Sequence, residues 1–145
     1  MDKKLISVMT PCYNEQDNIL NLYHAVKEQF DTLPQYQYEH IFIDNYSTDN
    51  SRNILRELAK EDKHVKVILN ARNFGPNRSG SYGMLQAKGD ALICIVCDLQ
   101  DPPEMIPKFL AKWEEGYKVV LGQKMKSKEN PLMFQVRKLY YTLIN

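Results

Sequence analysis

Asp98, Gln100 and Asp101 stand within four positions of one another, directly after an uncharged apolar run, Ala91 to Cys97, and ahead of Pro102-Pro103-Glu104. The run has the length and composition of a strand buried on both faces, the kind found in parallel sheets covered by helices. Its polar side chains then emerge at the C-terminal edge of the sheet. Ligands of open α/β sheets bind at that edge, so these three residues are the first site candidate, with Asp101 also placed to cap a helix starting at Pro102. Cys94-x-x-Cys97 has the spacing of a redox or metal pair, but such a redox pair belongs at a helix N-terminus. Inside a strand, residues three apart point to opposite faces. Three cysteines, Cys12, Cys94 and Cys97, give no disulfide framework and suit a reducing compartment.

The elements that must position such a site alternate along the chain. Leu5 to Thr10, Tyr38 to Ile43, Val65 to Leu69, Ala91 to Cys97 and Tyr117 to Leu121 read as strands. Between the first two, Ile19, Leu20, Leu22, Tyr23 and Val26 form the apolar stripe of a helix reaching about Phe30, with Asn14 or a neighbour as its cap. Ser47 or Thr48 is the expected cap of a second helix carrying Ile54, Leu55 and Leu58. A third is expected over Ser79 to Lys88, where Gly80 and Gly83 signal close packing or backbone approach. A fourth starts at Pro102-Pro103, carries Met105, Ile106, Phe109, Leu110 and Trp113, and stops at Gly116. This βα alternation predicts a mostly parallel α/β sheet with helices on both faces. Polar clusters after Thr10, Ile43, Leu69 and Cys97 then gather along one edge.

With 145 residues, the chain suits a single domain. Its 43% hydrophobic and 26% charged residues exclude a disordered chain. No stretch approaches the roughly 18 apolar residues of a membrane span, and Met1-Asp2-Lys3-Lys4 leads straight into the first strand without a signal peptide. The net charge of +1 conceals an asymmetry. From Tyr117 onward six basic residues face one acid, Glu129, so the tail suits either an anionic partner or a solvated helix surface. Nucleic acid is not an expected partner.

Four ordered motifs carry a family resemblance: Pro11-Cys12-Tyr13-Asn14-Glu15, Ile43-Asp44 with Ser47-Thr48-Asp49, Arg72-Asn73-Phe74-Gly75, and Asp98-Leu99-Gln100-Asp101-Pro102-Pro103-Glu104. Together the chain resembles family 2 glycosyltransferases with the GT-A fold. The last two motifs resemble the dolichyl-phosphate mannose synthase-like branch, which loads a hexose onto a polyprenyl phosphate. The resemblance implies that Pro11, Tyr13 and Glu15 form the base and ribose site, Asp44 holds the base and Arg72 approaches the diphosphate. It also implies Mg²⁺ or Mn²⁺ at Asp98 and Gln100, oxygen donors suited to a hard cation. Lys124, after Gly122-Gln123, together with Lys126 and Arg137, would meet an acceptor phosphate. Two positions depart from the pattern. Val96 replaces the first acid of the metal-binding Asp-x-Asp, and Asp44-Asn45-Tyr46 stands where Asp-Asp-Gly is usual.

The resulting expectation is an inverting, metal-dependent hexosyltransferase using a UDP- or GDP-sugar, with a lipid-phosphate or glycan acceptor, cytoplasmic and set at the cytoplasmic face of a membrane through its basic C-terminal segment. A phosphate acceptor needs no general base; for a hydroxyl acceptor Asp101 is the candidate. Residues 1–116 would be the nucleotide and metal half, and 117–145 the start of an acceptor side that the chain does not complete. A nucleotidylyltransferase should show a Gly-rich loop after the first strand, which is absent. A CheY-like acidic pocket would fit Asp98 and leave the other motifs unexplained. A non-catalytic nucleotide-binding relative is the remaining alternative, since Val96 is the kind of loss such a protein carries.

Overall fold

A computed structural model describes residues 3–123. Four parallel strands, β1 (Lys4–Cys12), β2 (Tyr36–Asp44), β3 (Val65–Leu69) and β4 (Ala91–Cys94), form one sheet in the order β3-β2-β1-β4. Helices α1 (Ile19–Asp31), α2 (Ser51–Glu61) and α3 (Pro76–Leu85) connect them. A one-turn 3-10 helix, Pro103–Met105, leads into α4 (Ile106–Glu114). Thus β1, β2 and β3 step outward in one direction, and the chain returns through α3 to place β4 on the other side of β1. The connections reverse direction between β1 and β4, and that reversal opens a crevice at the carboxyl ends of these two strands.

Side-chain alternation divides the core in two. Ile6 and Val8 of β1, Phe42 of β2 and Ile93 of β4 point to one face, where Ile19, Leu22 and Val26 of α1, Leu55 of α2, and Ile106 and Leu110 cover them. Met9, Ile41 and Ile43 point to the other face, which α3 covers. There the helix comes close because residue 83 is glycine: a Cβ on Gly83 would lie 2.9 Å from Ile43 Cγ2 and 3.2 Å from Met9 Sδ. Gly80 has nothing within 4 Å of such a Cβ, so the close packing expected of both glycines belongs to Gly83 alone.

The expected order of strands and helices holds through α4, with several corrections. The Ala91–Cys97 run is not a seven-residue strand buried on both faces. Its ladder ends at Cys94, with one further bond from Ile95 N–H to Met9 O (3.0 Å). Leu92, Cys94 and Val96 remain exposed among the described residues because α3 packs on β1 and β2. Tyr117–Leu121 is not a strand: after Gly116 (φ +101) turns the chain off α4, Tyr117, Val119 and Leu121 are exposed and make no ladder. Helix α3 starts earlier than expected, at Pro76, because Gly75 at φ +81 makes the preceding turn and proline suits the first helical position.

Candidate functional site

Three loops at the carboxyl edge are tied together by side chains that satisfy one another's backbone. Ser47 Oγ accepts the Asn14 N–H (2.8 Å) and Ser51 Oγ accepts the Glu15 N–H (2.9 Å). Asp49 Oδ2 accepts from Gln16 N–H (3.2 Å), while its Oδ1 caps α2 by accepting from Ser51 N–H (3.0 Å). In return, Asn14 Oδ1 accepts the Thr48 N–H (2.8 Å), and Gln16 Oε1 accepts the Asn50 N–H (3.0 Å). The expected cap of α1 therefore works in another direction. Asn14, at φ +55, reaches across to the neighbouring loop and contributes nothing to its own helix, whose N-cap residue Asn18 makes no side-chain capping bond. This interlocked pair of turns presents Tyr13 (49% exposed) and half-buried Pro11 and Glu15 at the edge. Glu15 Oε2 accepts from Asn18 Nδ2 (2.7 Å).

Asp44 ends β2 and is completely buried. Its Oδ2 accepts the N–H groups of Tyr46 and Ser47, both at 3.1 Å, and lies 3.8 Å from Arg52 Nε. Among the described residues its Oδ1 is buried without a partner, and such a group is an exception among native polar atoms. The next residue, Asn45, is a hub not evident from the sequence. Its Nδ2 donates to Asn73 Oδ1 (2.9 Å), while its Oδ1 accepts from Phe74 N–H (2.9 Å) and Asn70 Nδ2 (3.3 Å). Asn73 Oδ1 also accepts the Gly75 N–H (2.8 Å), and the Asn70 N–H donates to Asp44 O (2.9 Å). The Asn70–Gly75 loop is thereby fixed to the end of β2. It carries Arg72, which is exposed, with its guanidinium carbon 4.8 Å from the Phe74 ring centroid.

Asp98, Gln100 and Asp101 are exposed on the turn after β4, across the crevice from the β1 turn. Asp98 Oδ1 accepts the Gln100 N–H (3.0 Å), and Leu99 takes φ +57. Beneath this turn Cys97 is buried and meets Cys12 at the end of β1. The hydrogen bond to Cys97, followed by burial, pushes the Cys12 thiol up, so Cys12 serves as a packed neutral group. Carboxylate and amide oxygens two positions apart suit a hard cation in kind. Among the described residues, however, no three His, Cys, Asp or Glu side chains gather to hold a metal. The protein donors at Asp98 and Gln100 therefore fit a divalent cation only if a ligand supplies further oxygens. Lys124, Lys126 and Arg137 lie outside the described residues.

With this arrangement in view, comparison with known proteins identifies the lineage. The Glycosyl transferase family 2 domain matches residues 7–143. The chain is 39% identical over 140 residues to the uncharacterized glycosyltransferase YkcC of Bacillus subtilis, covering 96% of this chain and 43% of that protein. It is 42% identical over 116 residues to the undecaprenyl-phosphate 4-deoxy-4-formamido-L-arabinose transferase of Proteus mirabilis, covering 79% of this chain and 35% of that protein. The chain thus spans less than half the length of these two relatives. Among solved structures, S. aureus TarS 1-349 superposes with a TM-score of 0.63 at 23% identity, over 86% of this chain and 40% of that one. The mannosyltransferase PcManGT from Pyrobaculum calidifontis, in complex with GDP-Man and Mn²⁺, superposes with a TM-score of 0.58 at 19% identity, over 68% of this chain and 28% of that one. These neighbours share the α/β GT-A fold expected from the motifs, and the chain belongs to glycosyltransferase family 2.

Proposed function

We propose that this chain forms the donor-binding part of an inverting hexosyltransferase that moves a sugar from a UDP- or GDP-sugar to polyprenyl phosphate. The observation that carries the reading is the crevice between β1 and β4, with the Pro11–Glu15 turn on one side and the exposed Asp98–Asp101 turn on the other. In this reading Pro11, Tyr13 and Glu15 hold base and ribose, Glu15 accepting from ribose hydroxyls. The unpartnered Oδ1 of Asp44 accepts from an N–H of the base. Arg72, on the loop that Asn45 fixes, meets the diphosphate, and its guanidinium offsets the charge there. Lys124, Lys126 and Arg137 are assigned to the acceptor phosphate.

Asp98 and Gln100 would hold Mg²⁺ or Mn²⁺, which, when bound with the diphosphate, supplies charge neutralisation on the leaving group. The ionised acceptor oxygen attacks the anomeric carbon from the side opposite the diphosphate. A new carbon–oxygen bond forms as the bond to the diphosphate breaks, and the nucleoside diphosphate leaves with the electron pair. The protein contributes alignment and fixed charge; no base is needed for an acceptor that is already an anion. Asp101 is the base only where a glycan hydroxyl replaces the phosphate. Two features favour the lipid acceptor: the basic residues from Lys118 onward, and the undecaprenyl-phosphate transferase of P. mirabilis among the relatives. Incubating the full-length protein with radiolabelled UDP- or GDP-sugar, Mn²⁺ and undecaprenyl phosphate tests the reading. Label entering the organic phase supports it, and label passing only to water or to a glycan contradicts the assigned acceptor.

A further inference from the structure

Tyr46 takes a backbone conformation that suits its ring's position better than its backbone. At φ +70 it lies in the left-handed region, which a bulky L residue enters only at a cost and which glycine enters freely. Such strain persists where the surroundings over-determine it, and it gathers at ligand-contacting sites. Here the surroundings are identifiable. Asp44 Oδ2 accepts the Tyr46 N–H at 3.1 Å, and the adjacent Asn45 is locked by its three side-chain bonds to Asn70, Asn73 and Phe74. The ring itself is not part of the core, being 45% exposed. Nothing in the apolar packing of the described residues therefore accounts for an aromatic side chain at this position.

The ring is also held in place. The Arg52 guanidinium carbon stands 5.2 Å from its centroid, and Arg52 is in turn anchored by Asp44, Nε to Oδ2 at 3.8 Å. A cation over an aromatic face orients it without covering all of its surface. Two residues before Tyr46, Asp44 keeps a buried carboxylate oxygen, Oδ1, without a donor among the described residues, and the interlocked neighbouring turn carries a second exposed aromatic, Tyr13. A flat, π-faced group with N–H donors on its edge matches an aromatic platform beside an acceptor. We infer that Tyr46 is a stacking platform for the nucleobase of the donor, a specificity-determining residue that tightens nucleotide binding at the expense of backbone strain. The inference rests on the nucleotide-sugar reading of the site given above.

The test sets stability against binding. Dissociation constants for UDP, GDP and base-free pyrophosphate are measured by titration calorimetry on the whole chain, for wild type, Tyr46→Gly and Tyr46→Phe, and the melting temperature is recorded for each. Base–aromatic stacking on the order of 1–3 kcal/mol corresponds to a loss of about 5-fold to 150-fold in nucleotide affinity for Tyr46→Gly. Pyrophosphate binding should stay unchanged, and the melting temperature should hold or rise because glycine relieves the left-handed strain. Tyr46→Phe should bind nucleotides like wild type. Wild-type binding of UDP or GDP with no loss in Tyr46→Gly overturns the stacking role alone. An equal loss of pyrophosphate affinity also overturns it, by making the effect one of loop structure. Failure of the wild-type chain to bind any nucleoside diphosphate overturns the site reading and this inference together.

Discussion

Acidification from pH 7.5 to 4.5 should destabilise the chain through His40. The side chain is completely buried and stacks on Phe42 with ring centroids 4.0 Å apart. Its Nε2 lies 3.0 Å from Thr10 Oγ1, and its Nδ1 has no partner among the described residues. Burial pushes its pKa from the ordinary 6.5 down to about 3, against a weaker opposing pull from Asp62. The unfolded chain therefore takes up a proton near pH 6.5 that the native chain refuses until about pH 3. Stability from this residue is full above pH 6.5 and falls with pH by about 1.4 kcal/mol per unit, a loss of about 2.7 kcal/mol by pH 4.5. Urea denaturation at a series of pH values, with His40→Asn as the control, isolates the effect. The variant keeps a polar partner for Thr10 and loses the titrating group, while His24 and His64 remain in both proteins. The wild type should lose about 2.7 kcal/mol more than the variant across this range. Parallel pH profiles for the two proteins would refute the reasoning.

The packing and the loop hub give two further predictions. Gly83→Val should cost about 1–3 kcal/mol in urea denaturation, because its Cβ alone meets Ile43 Cγ2 at 2.9 Å; Gly80→Val, with open space around it, should lack this overpacking cost. Asn45→Ala removes one donor and one acceptor that serve Asn73, Phe74 and Asn70. At about 1 kcal/mol per bond it should lower stability by about 2–3 kcal/mol and speed proteolytic cleavage within residues 70–75. Wild-type cleavage kinetics would contradict the hub.

The sequence was most legible where short-range signals agree with the packing. Val65–Leu69 is a strand at the expected bounds, and Ile19, Leu22, Tyr23, Val26 and Phe30 form the buried face of α1, whereas Leu20, expected in the same stripe, is exposed. The candidate residues of the first three loops, Tyr13, Glu15, Asp44 and Arg72, also come to one carboxyl edge, because parallel strands deliver every such loop to the same side. Less was legible where the outcome depends on which neighbour is present. The run Ala91–Cys97 is apolar throughout, and the seat of α3 on β1 and β2 leaves Leu92, Cys94 and Val96 exposed among the described residues. Tyr117–Leu121 has the residues of a strand but finds no ladder among the described residues. Asn14 looks like a local cap, yet bonds 34 positions away at Thr48. Asn45 and Tyr46 register in sequence only as departures from a family pattern. Their roles come from loop-to-loop geometry that no local period encodes.

The central claim is that the edge built by Pro11–Glu15, Asp44, Arg72 and Asp98–Asp101 binds a nucleoside diphosphate together with a divalent cation. The most direct measurement is a thermal-shift panel of UDP, GDP, CDP and dTDP, each with and without Mn²⁺, on the wild-type chain and on Asp98→Ala. At 100 times its Kd a ligand adds about 2.7 kcal/mol to stability. A clear rise in melting temperature is therefore predicted for UDP or GDP with Mn²⁺, reduced when Mn²⁺ is omitted and in Asp98→Ala. No stabilisation by any of the four nucleotides, with or without the metal, would contradict the account.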